Sequence, residues 1–371
     1  MEPETDPLRR LALLAMSLAI AIMIGWLLYV GKGLLMPIVI AVLAVYIISS
    51  ASNALGRWPP TARLPSVVRK LLLLVGFVAL LGGLNWVVIT TVRDLVASAP
   101  EYQRNMEDLV TRELVRLGLE GNPDWQAVRS ATLDQLSMQQ MLGGLAGSVG
   151  GMVGVLVLAA VYALFLTAEA SGFSHKLSVA LPQQDHARRT LALIRSINGR
   201  IGDYLAIKTL INVILGAICY VILLVFGVDH ALFWALIIAL LNYIPYFGSL
   251  LAVMFPVLLA LVQFTSLQLA LLLAALLTTA QMWVGNWLEP RMIGRAVNMS
   301  PFVVVAALSF WTAVWGAAGA ILAVPLTSLM AIILAGFDHT RPMAVLLAHD
   351  VSEFEKLREN AAKDAARTLS E

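Results

Sequence analysis

The sequence holds few charges and a single cysteine, and both shortages exclude whole classes of protein. Charged residues make up 13% of the 371 residues, about half the usual share in a soluble domain, whereas 60% are hydrophobic. A soluble fold of this length could not bury so much apolar surface, which excludes an ordinary cytosolic enzyme, a nucleic-acid binder and a disordered protein. The lone Cys219 permits neither an internal disulfide nor a thiolate metal site.

Catalytic and metal-binding motifs are also missing from the sequence. The five histidines stand outside the long apolar runs and form no paired metal-ligand motif. There is no zinc-protease motif, no nucleophile elbow and no P-loop. We therefore expect no enzyme activity, no cofactor and no metal, and active transport would need an ion gradient or a separate partner.

Long apolar runs are what the sequence has in abundance. Five are long enough to cross about 30 Å of hydrocarbon as helices, and a sixth lies at the short end of that range. We interpret the first run as a retained helix rather than a cleaved signal peptide, because it is long and no A-x-A site follows it. The six runs are Leu11–Val30, Leu34–Ser50, Leu71–Val92, Gly143–Thr167, Leu210–Val228 and Ser266–Leu288.

Two further apolar stretches are interrupted. Ala231–Val262 is broken by Asn242–Gly248, and Phe302–Phe337 is broken near Gly316–Gly319. Half-helices that meet at such a break form either a re-entrant hairpin or a pair of short spans, and the sequence leaves this choice open. The fold class predicted is an all-α, polytopic integral membrane protein with about six full transmembrane helices and two broken helical stretches.

The two broken stretches resemble each other. The segment GSLLAV that begins at Gly248 matches GAILAV, which begins at Gly319, 71 residues later. Paired interruptions in corresponding positions point to a transport site, although chance is an alternative because these residue types are common here.

Lysine and arginine in the loops predict that both termini lie in the cytoplasm. The loop 51–70 carries four basic residues and no acid, whereas 91–142 is acidic and is expected outside. The outer insert either packs on its neighbours or extends the preceding helix, or it is a solvated hairpin. The predicted regions are N-terminal helices in 1–90, an extracytoplasmic helical insert in 91–142, a fourth transmembrane helix in 143–167, a cytoplasmic segment with an amphipathic helix in 168–208, a C-terminal bundle in 209–338 and a cytoplasmic tail in 339–371.

Three glycines spaced four residues apart open the fourth predicted span: Gly143, Gly147 and Gly151. Such a ladder lets another helix backbone approach closely, so we expect helix packing within or between protomers. A glycine-lined pathway is the alternative.

The richest polar stretch runs from Gln281 to Pro301. Gln281 and Asn286 lie at the inner end of a span, and Ser300-Pro301 predicts the start of the next helix. Glu289 and Arg291 form either a structural ion pair that anchors the loop, or a gate or ion-coupling pair at the mouth of a pathway. Other pathway candidates, from this stretch and from the two breaks, are Asn242, Tyr243, Pro245, Tyr246, Gly248, Arg295, Gly316 and Gly319.

Polar groups at the breaks have two interpretations. They either satisfy the backbone of the broken helix or contact a small polar solute. Lys208 and Asn212 are weaker candidates, since Lys208 can extend its ammonium to the inner surface.

At these residues the chain resembles the autoinducer-2 exporter family of permeases. The resemblance rests on NYIPYFG at 242–248, on NWLEPR at 286–291 with Gly294-Arg295 and Ser300-Pro301, and on Phe310-Trp311, Trp315-Gly316 and Gly319–Pro325. It covers nearly the whole chain, with specific motifs only in the C-terminal half.

The resemblance implies a bacterial inner-membrane transporter, an exporter of a small solute such as a quorum-sensing signal. It also implies a homo-oligomer in the lipid bilayer with no nucleic-acid partner. A sodium/proton antiporter and a non-transporting oligomeric scaffold are the alternatives.

Overall fold

The fold of the chain is taken from a computed structural model. The structure describes residues 7–57, 59–116, 154–155, 157–169, 172, 176, 184–245, 247–293, 298–336 and 340–352, which are helical apart from short turns and contain no strand. The helices are α1 (Pro7–Val30), α2 (Lys32–Leu55), α3 (Pro59–Ala62), α4 (Ser66–Arg116), α5 (Val157–Glu169), α6 (Gln184–Phe226), α7 (Ala231–Leu241), α8 (Phe247–Phe264), α9 (Leu267–Trp283), α10 (Glu289–Ile293), α11 (Pro301–Ala335) and α12 (Arg341–Leu347).

Six of the described helices are long and apolar enough to cross a membrane. They are Lys32–Leu55, Ser66–Arg112, Ile201–Phe226, Phe247–Phe264, Leu267–Ile293 and Pro301–Ala335. Only 6% of the most apolar 18-residue stretch of α4 is buried in the protein. The side chains of this stretch therefore face outward, where lipid is their favourable solvent. The predicted all-α, polytopic membrane fold is confirmed.

Two helices are longer than the apolar runs alone indicate. Helix α4 continues from the third predicted span to Arg116, a length of about 76 Å, so the first part of the insert extends the helix before it. Helix α6 joins the predicted amphipathic segment and the following span, because no glycine or proline separates them. The glycines at 143, 147 and 151 lie outside the described residues, as does the rest of the insert.

The first broken stretch folds as a helical hairpin, here called the first hairpin, made of α7 and α8. Its base is tied by Gln263, which accepts from the backbone N–H of Asp229 at 2.9 Å and donates to the carbonyl of Gly227 at 2.9 Å. Its tip lies beside the middle of α6, where Thr209 Oγ1 is 2.7 Å from the Tyr243 hydroxyl.

The second broken stretch, α11, folds back at Gly316 and forms the second hairpin. Gly316 has φ 63°, a left-handed conformation that favours glycine. The indole N–H of Trp311 donates to Thr327 Oγ1 at 3.1 Å, although these residues would lie about 24 Å apart along a straight helix. Ser300 caps this helix through the backbone N–H of Val303, as the Ser300-Pro301 pair predicts.

Each hairpin has a glycine at which the backbones of its two arms come into close contact. A Cβ built on Gly248 would lie 1.8 Å from the carbonyl oxygen of Leu241, and one built on Gly319 would lie 1.9 Å from that of Trp311. The matching glycines of the predicted repeat therefore occupy the same position in both hairpins, where only glycine allows the two arms to approach.

The hairpins enter the helix bundle from opposite ends. Helix α9 and its continuation to Ile293 join the base of one hairpin to the base of the other over 27 residues, or about 40 Å. The tip of the second hairpin reaches the end of α1, where Trp315 donates to the carbonyl of Leu28 at 3.0 Å. The arrangement is therefore an inverted pair of hairpins around one crossing helix.

Two apolar clusters hold the hairpins in the bundle. The first hairpin packs against α6 and α9 around Leu215, Leu223, Ile238 and Leu277, which are fully buried. The second packs against α2 and the start of the apolar part of α6. Helix α6 touches both hairpins and so positions them relative to each other.

Candidate transport cavity

A cavity of about 900 Å³ lies between α6, the first hairpin and α9. Its polar side chains come from α6, from the hairpin tip, and from α9 and its continuation to Glu289. Its apolar wall comes mainly from α8 and includes Leu250, Val253, Met254 and Val257. This combination of a few convergent polar groups with an apolar wall is typical of small-molecule sites.

Six of the pathway candidates taken from the sequence line this cavity: Asn242, Tyr243, Pro245, Gln281, Asn286 and Glu289. The weaker candidate Lys208 lines it as well. Four others are described but do not line it: Gly248 and Gly319 pack within the hairpins, Gly316 forms the tip of the second hairpin, and Arg291 lies against the Trp287 ring. Tyr246, Arg295, Gly143, Gly147 and Gly151 lie outside the described residues.

The charge pair in the cavity joins Glu289 to Lys208 rather than to Arg291. Lys208 Nζ lies 2.6 Å from Glu289 Oε1. The Lys208 side chain is 7% exposed and that of Glu289 is 27% exposed. The Lys208 ammonium is therefore held by a carboxylate within the protein rather than extended into solvent.

Arg291 cannot share the cavity with Glu289 because residues two apart on a helix do not face each other. Its guanidinium lies 3.8 Å from the centre of the Trp287 ring, which stacks on Trp283 at 5.2 Å. All three side chains are exposed. A ladder of two tryptophans and an arginine is typical of an anchor at the membrane interface.

A π-helical turn, Val284–Leu288, carries Asn286 and precedes Glu289. The backbone N–H of Glu289 donates to the carbonyl of Val284, five residues back. Pro290 explains the turn, because it has no N–H to donate to Asn286 and its ring presses on that carbonyl. Single π turns in α-helices are frequent at functional sites.

Two side-chain hydrogen bonds hold the tip of the first hairpin on α6. Asn242 Nδ2 donates to Asn212 Oδ1 at 2.8 Å, and the Tyr243 and Thr209 hydroxyls are 2.7 Å apart. Lys208 comes directly before Thr209 on the same helix. The hairpin tip, the ion pair and the cavity therefore form one connected polar site.

One buried amide in this site has a donor without an acceptor among the described residues. It is Nε2 of Gln281, a residue that is 8% exposed, whereas the Asn212 amide also hydrogen-bonds the Tyr243 hydroxyl. A buried N–H without a partner costs free energy, so such groups call for an explanation.

Sequence reasoning missed Tyr204, Ser249 and Thr278 as lining residues. Tyr204 falls within the segment 168–208, for which the sequence predicts only an amphipathic helix, and the other two carry no motif. Their common signal is helical spacing from known members of the site: Tyr204 precedes Lys208 by four residues and Thr278 precedes Gln281 by three.

The described residues hold no cluster of three or more histidine, cysteine, aspartate or glutamate side chains that could bind a metal. Glu289 is the one carboxylate among the residues that line the cavity in the described part of the chain.

Comparison with known proteins gives a consistent result. The AI-2E family transporter pattern matches residues 18–337. The chain is 29% identical to the AI-2 transport protein TqsA of Escherichia coli K12, over 90% of this chain and 96% of that protein. It is 30% identical to YhhT of the same organism, over 74% of this chain and 76% of that protein. A Borreliella burgdorferi relative is 34% identical over 198 residues, which span about half of its length and 53% of this chain.

Proposed function

This chain belongs to the AI-2E transporter family and is a multi-pass membrane transporter, and we propose that it exports a small solute through the cavity beside the first hairpin. The name of TqsA gives AI-2 as what that relative transports. A solute of similar size, such as a signal molecule, is the substrate we propose for this chain.

One observation carries the proposal: a broken helix, a charged pair and an amphipathic cavity coincide. Transporters bind their substrates where discontinuous helices of internal repeats meet near the middle of the membrane. The first hairpin supplies such a discontinuity at Asn242–Pro245, and Lys208 and Glu289 stand opposite it. Its inverted partner, the second hairpin, provides the repeat that such mechanisms use.

We propose that transport moves the tip of the first hairpin away from α6. The tip is held by the Asn242–Asn212 and Tyr243–Thr209 hydrogen bonds, and each contributes only about 1 kcal/mol net, so they can break and reform. Opening at the tip would connect the cavity to the end of the bundle where Glu289 lies. Movement of the opposite wall would connect it to the other end.

We further propose that the chain resides in the bacterial inner membrane, with both termini in the cytoplasm, and that it acts as a homo-oligomer. The basic loops support the orientation. The many exposed apolar side chains of α1 and α4 support contact with lipid or with another protomer.

Cross-linking the hairpin tip to α6 tests the mechanism. Asn212→Cys and Asn242→Cys, placed together in a Cys219→Ala background, would be joined by a short bis-methanethiosulfonate, which forms a disulfide with each thiol and releases sulfinate. We expect loss of solute uptake by everted vesicles, measured with a panel of small solutes that includes AI-2, and recovery after reduction. The matched control joins Asp229→Cys to Gln263→Cys at the hairpin base, where transport should persist. Full transport with the tip locked would contradict the proposal.

A cation/proton antiporter is a second candidate because Glu289 is the one carboxylate lining the described cavity. In that case everted vesicles would show sodium-dependent proton movement that Glu289→Gln abolishes. Glu107→Gln, on the outer part of α4, is the control. The close Lys208 ammonium argues against this candidate, since a cation would have to compete with it.

A further inference from the structure

We infer that the cavity binds a small organic carboxylate, whose negative group replaces the Glu289 carboxylate on the Lys208 ammonium. The inference rests on the proposed function and names the class of its substrate. Three observations carry it: the burial of Lys208, the excess of hydrogen-bond donors around it and the apolar wall opposite.

Lys208 is suited to hold an anion. Its side chain is 7% exposed, and a buried ammonium must keep an opposite charge beside it. An ammonium offers three N–H donors and no acceptor, and the structure gives one of them to Glu289 Oε1. A solute carboxylate meets the same requirement, so it can take the place of Glu289 without leaving Lys208 unpaired.

The two members of the pair differ in how easily they can separate. Glu289 keeps 27% of its side chain exposed and follows a π turn, whereas Lys208 lies in the regular interior of α6. The displaced carboxylate can therefore be solvated, but the ammonium cannot. This asymmetry makes Lys208 the fixed group and Glu289 the exchangeable one.

A neighbouring amide also needs an acceptor. Nε2 of Gln281 has no acceptor among the described residues, and Gln281 lines the cavity. A carboxylate brings about four acceptor sites, enough for the ammonium and an amide at once. A cationic solute would leave the Gln281 donor without an acceptor and would be repelled by Lys208.

The apolar lining of the cavity determines the polarity of the rest of the ligand. Val253, Met254, Val257 and Met282 line it without a charge, so they favour an apolar body attached to the carboxylate. The flexible methionines suit bodies of more than one shape. The chemical class is thus a small monocarboxylate with an aliphatic or similar apolar group.

Butyrate and its neutral amide, butyramide, are matched probes for this inference. Binding to the purified full-length protein in detergent would be measured from the rise in melting temperature with ligand concentration, at constant ionic strength in chloride. We expect butyrate to bind at least about tenfold more tightly than butyramide, because only the charged group forms charge-assisted bonds with Lys208.

The direction in which Glu289→Gln changes butyrate affinity decides the question. Removal of the internal competitor should tighten butyrate binding about tenfold, since the ammonium is then free in a larger fraction of molecules. Lys208→Met should abolish it. The double variant Lys208→Met/Glu289→Gln leaves no unpaired charge, so it should fold and still not bind butyrate. Lys32→Met, outside the cavity, should behave as the parent.

Equal binding of butyramide and butyrate, or weaker butyrate binding in Glu289→Gln, would overturn the inference. Either result leaves the proposed function standing, because neutral solutes could still cross through the same cavity. The proposed function fails separately, if transport continues while the hairpin tip is cross-linked to α6.

Discussion

At the scale of single residues, the Lys208–Glu289 pair links two elements that are 81 positions apart in the chain. Removal of Glu289 leaves the Lys208 ammonium, whose side chain is 7% exposed, as a buried charge without a partner. We expect Glu289→Gln to lower the free energy of unfolding by roughly 3 kcal/mol, whereas Lys208→Met costs less because the Glu289 carboxylate is partly exposed. Thermal melting in detergent would measure it.

The control for that prediction is the double variant. Lys208→Met combined with Glu289→Gln removes both charges and should recover most of the lost stability. If the single and double variants have the same melting temperature, the pair contributes nothing to stability, and its charges would already be well solvated in the folded protein.

Two glycines provide a second prediction at this scale. Gly248→Ala and Gly319→Ala would each place a Cβ within 2 Å of a backbone oxygen of the opposite hairpin arm. The arms must separate to accommodate it, so we expect a loss of about 3 kcal/mol for each variant. Gly82→Ala is the matched control, since no atom lies within 4 Å of its Cβ and alanine favours the helix.

The same residues show what the sequence could predict. The repeat of GSLLAV and GAILAV indicated which glycines correspond, because a close backbone contact demands glycine at one position and leaves a local signature. The partner of Glu289 had no such signature. Lys208, 81 residues away, meets Glu289 only because α6 packs beside the continuation of α9. The sequence around a charged residue does not indicate which distant residue it pairs with.

At the scale of elements, the π turn Val284–Leu288 determines whether Asn286 and Glu289 face the cavity. Pro290→Ala restores a donor for the carbonyl of Asn286 and removes the ring that presses on it. We expect a gain of about 1 kcal/mol in stability and a several-fold loss of solute uptake, because Asn286 and Glu289 rotate away from the cavity. Uptake by everted vesicles and thermal melting measure the two effects.

Pro37→Ala in α2 is the control for that change. Pro37 is buried in a helix that does not line the cavity, so its replacement should leave uptake unchanged. Unchanged uptake in Pro290→Ala as well would show that the turn has no part in transport.

Element boundaries were harder to predict than the elements themselves. Apolar runs located four of the six candidate membrane-crossing helices in the described residues, because lipid demands about 20 apolar residues in sequence, and the other two candidates belong to the interrupted stretches. The extensions of α4 to Arg116 and of α6 back to Gln184 leave the apolar zone, where polar residues are compatible with either a helix or a loop. Hydropathy therefore could not decide where these helices end.

At the scale of the whole molecule, the inverted arrangement of the hairpins predicts which ends of the bundle share a side of the membrane. Gln268, beside the base of the first hairpin, and Met343, beside the base of the second, are both exposed. Because α9 crosses the bundle between the two bases, single cysteines at 268 and 343 in a Cys219→Ala background should face opposite sides.

An impermeant maleimide distinguishes the sides. With the orientation we propose, Gln268→Cys should react in intact spheroplasts, and Met343→Cys should react only in everted vesicles. Arg57→Cys, in the basic loop after α2, should follow Met343→Cys, and the Cys219→Ala parent should stay unlabelled because it has no other cysteine. Labelling of positions 268 and 343 from the same side would mean that both hairpins enter from one face. The two halves would then lack the inverted symmetry on which alternating access through this cavity depends.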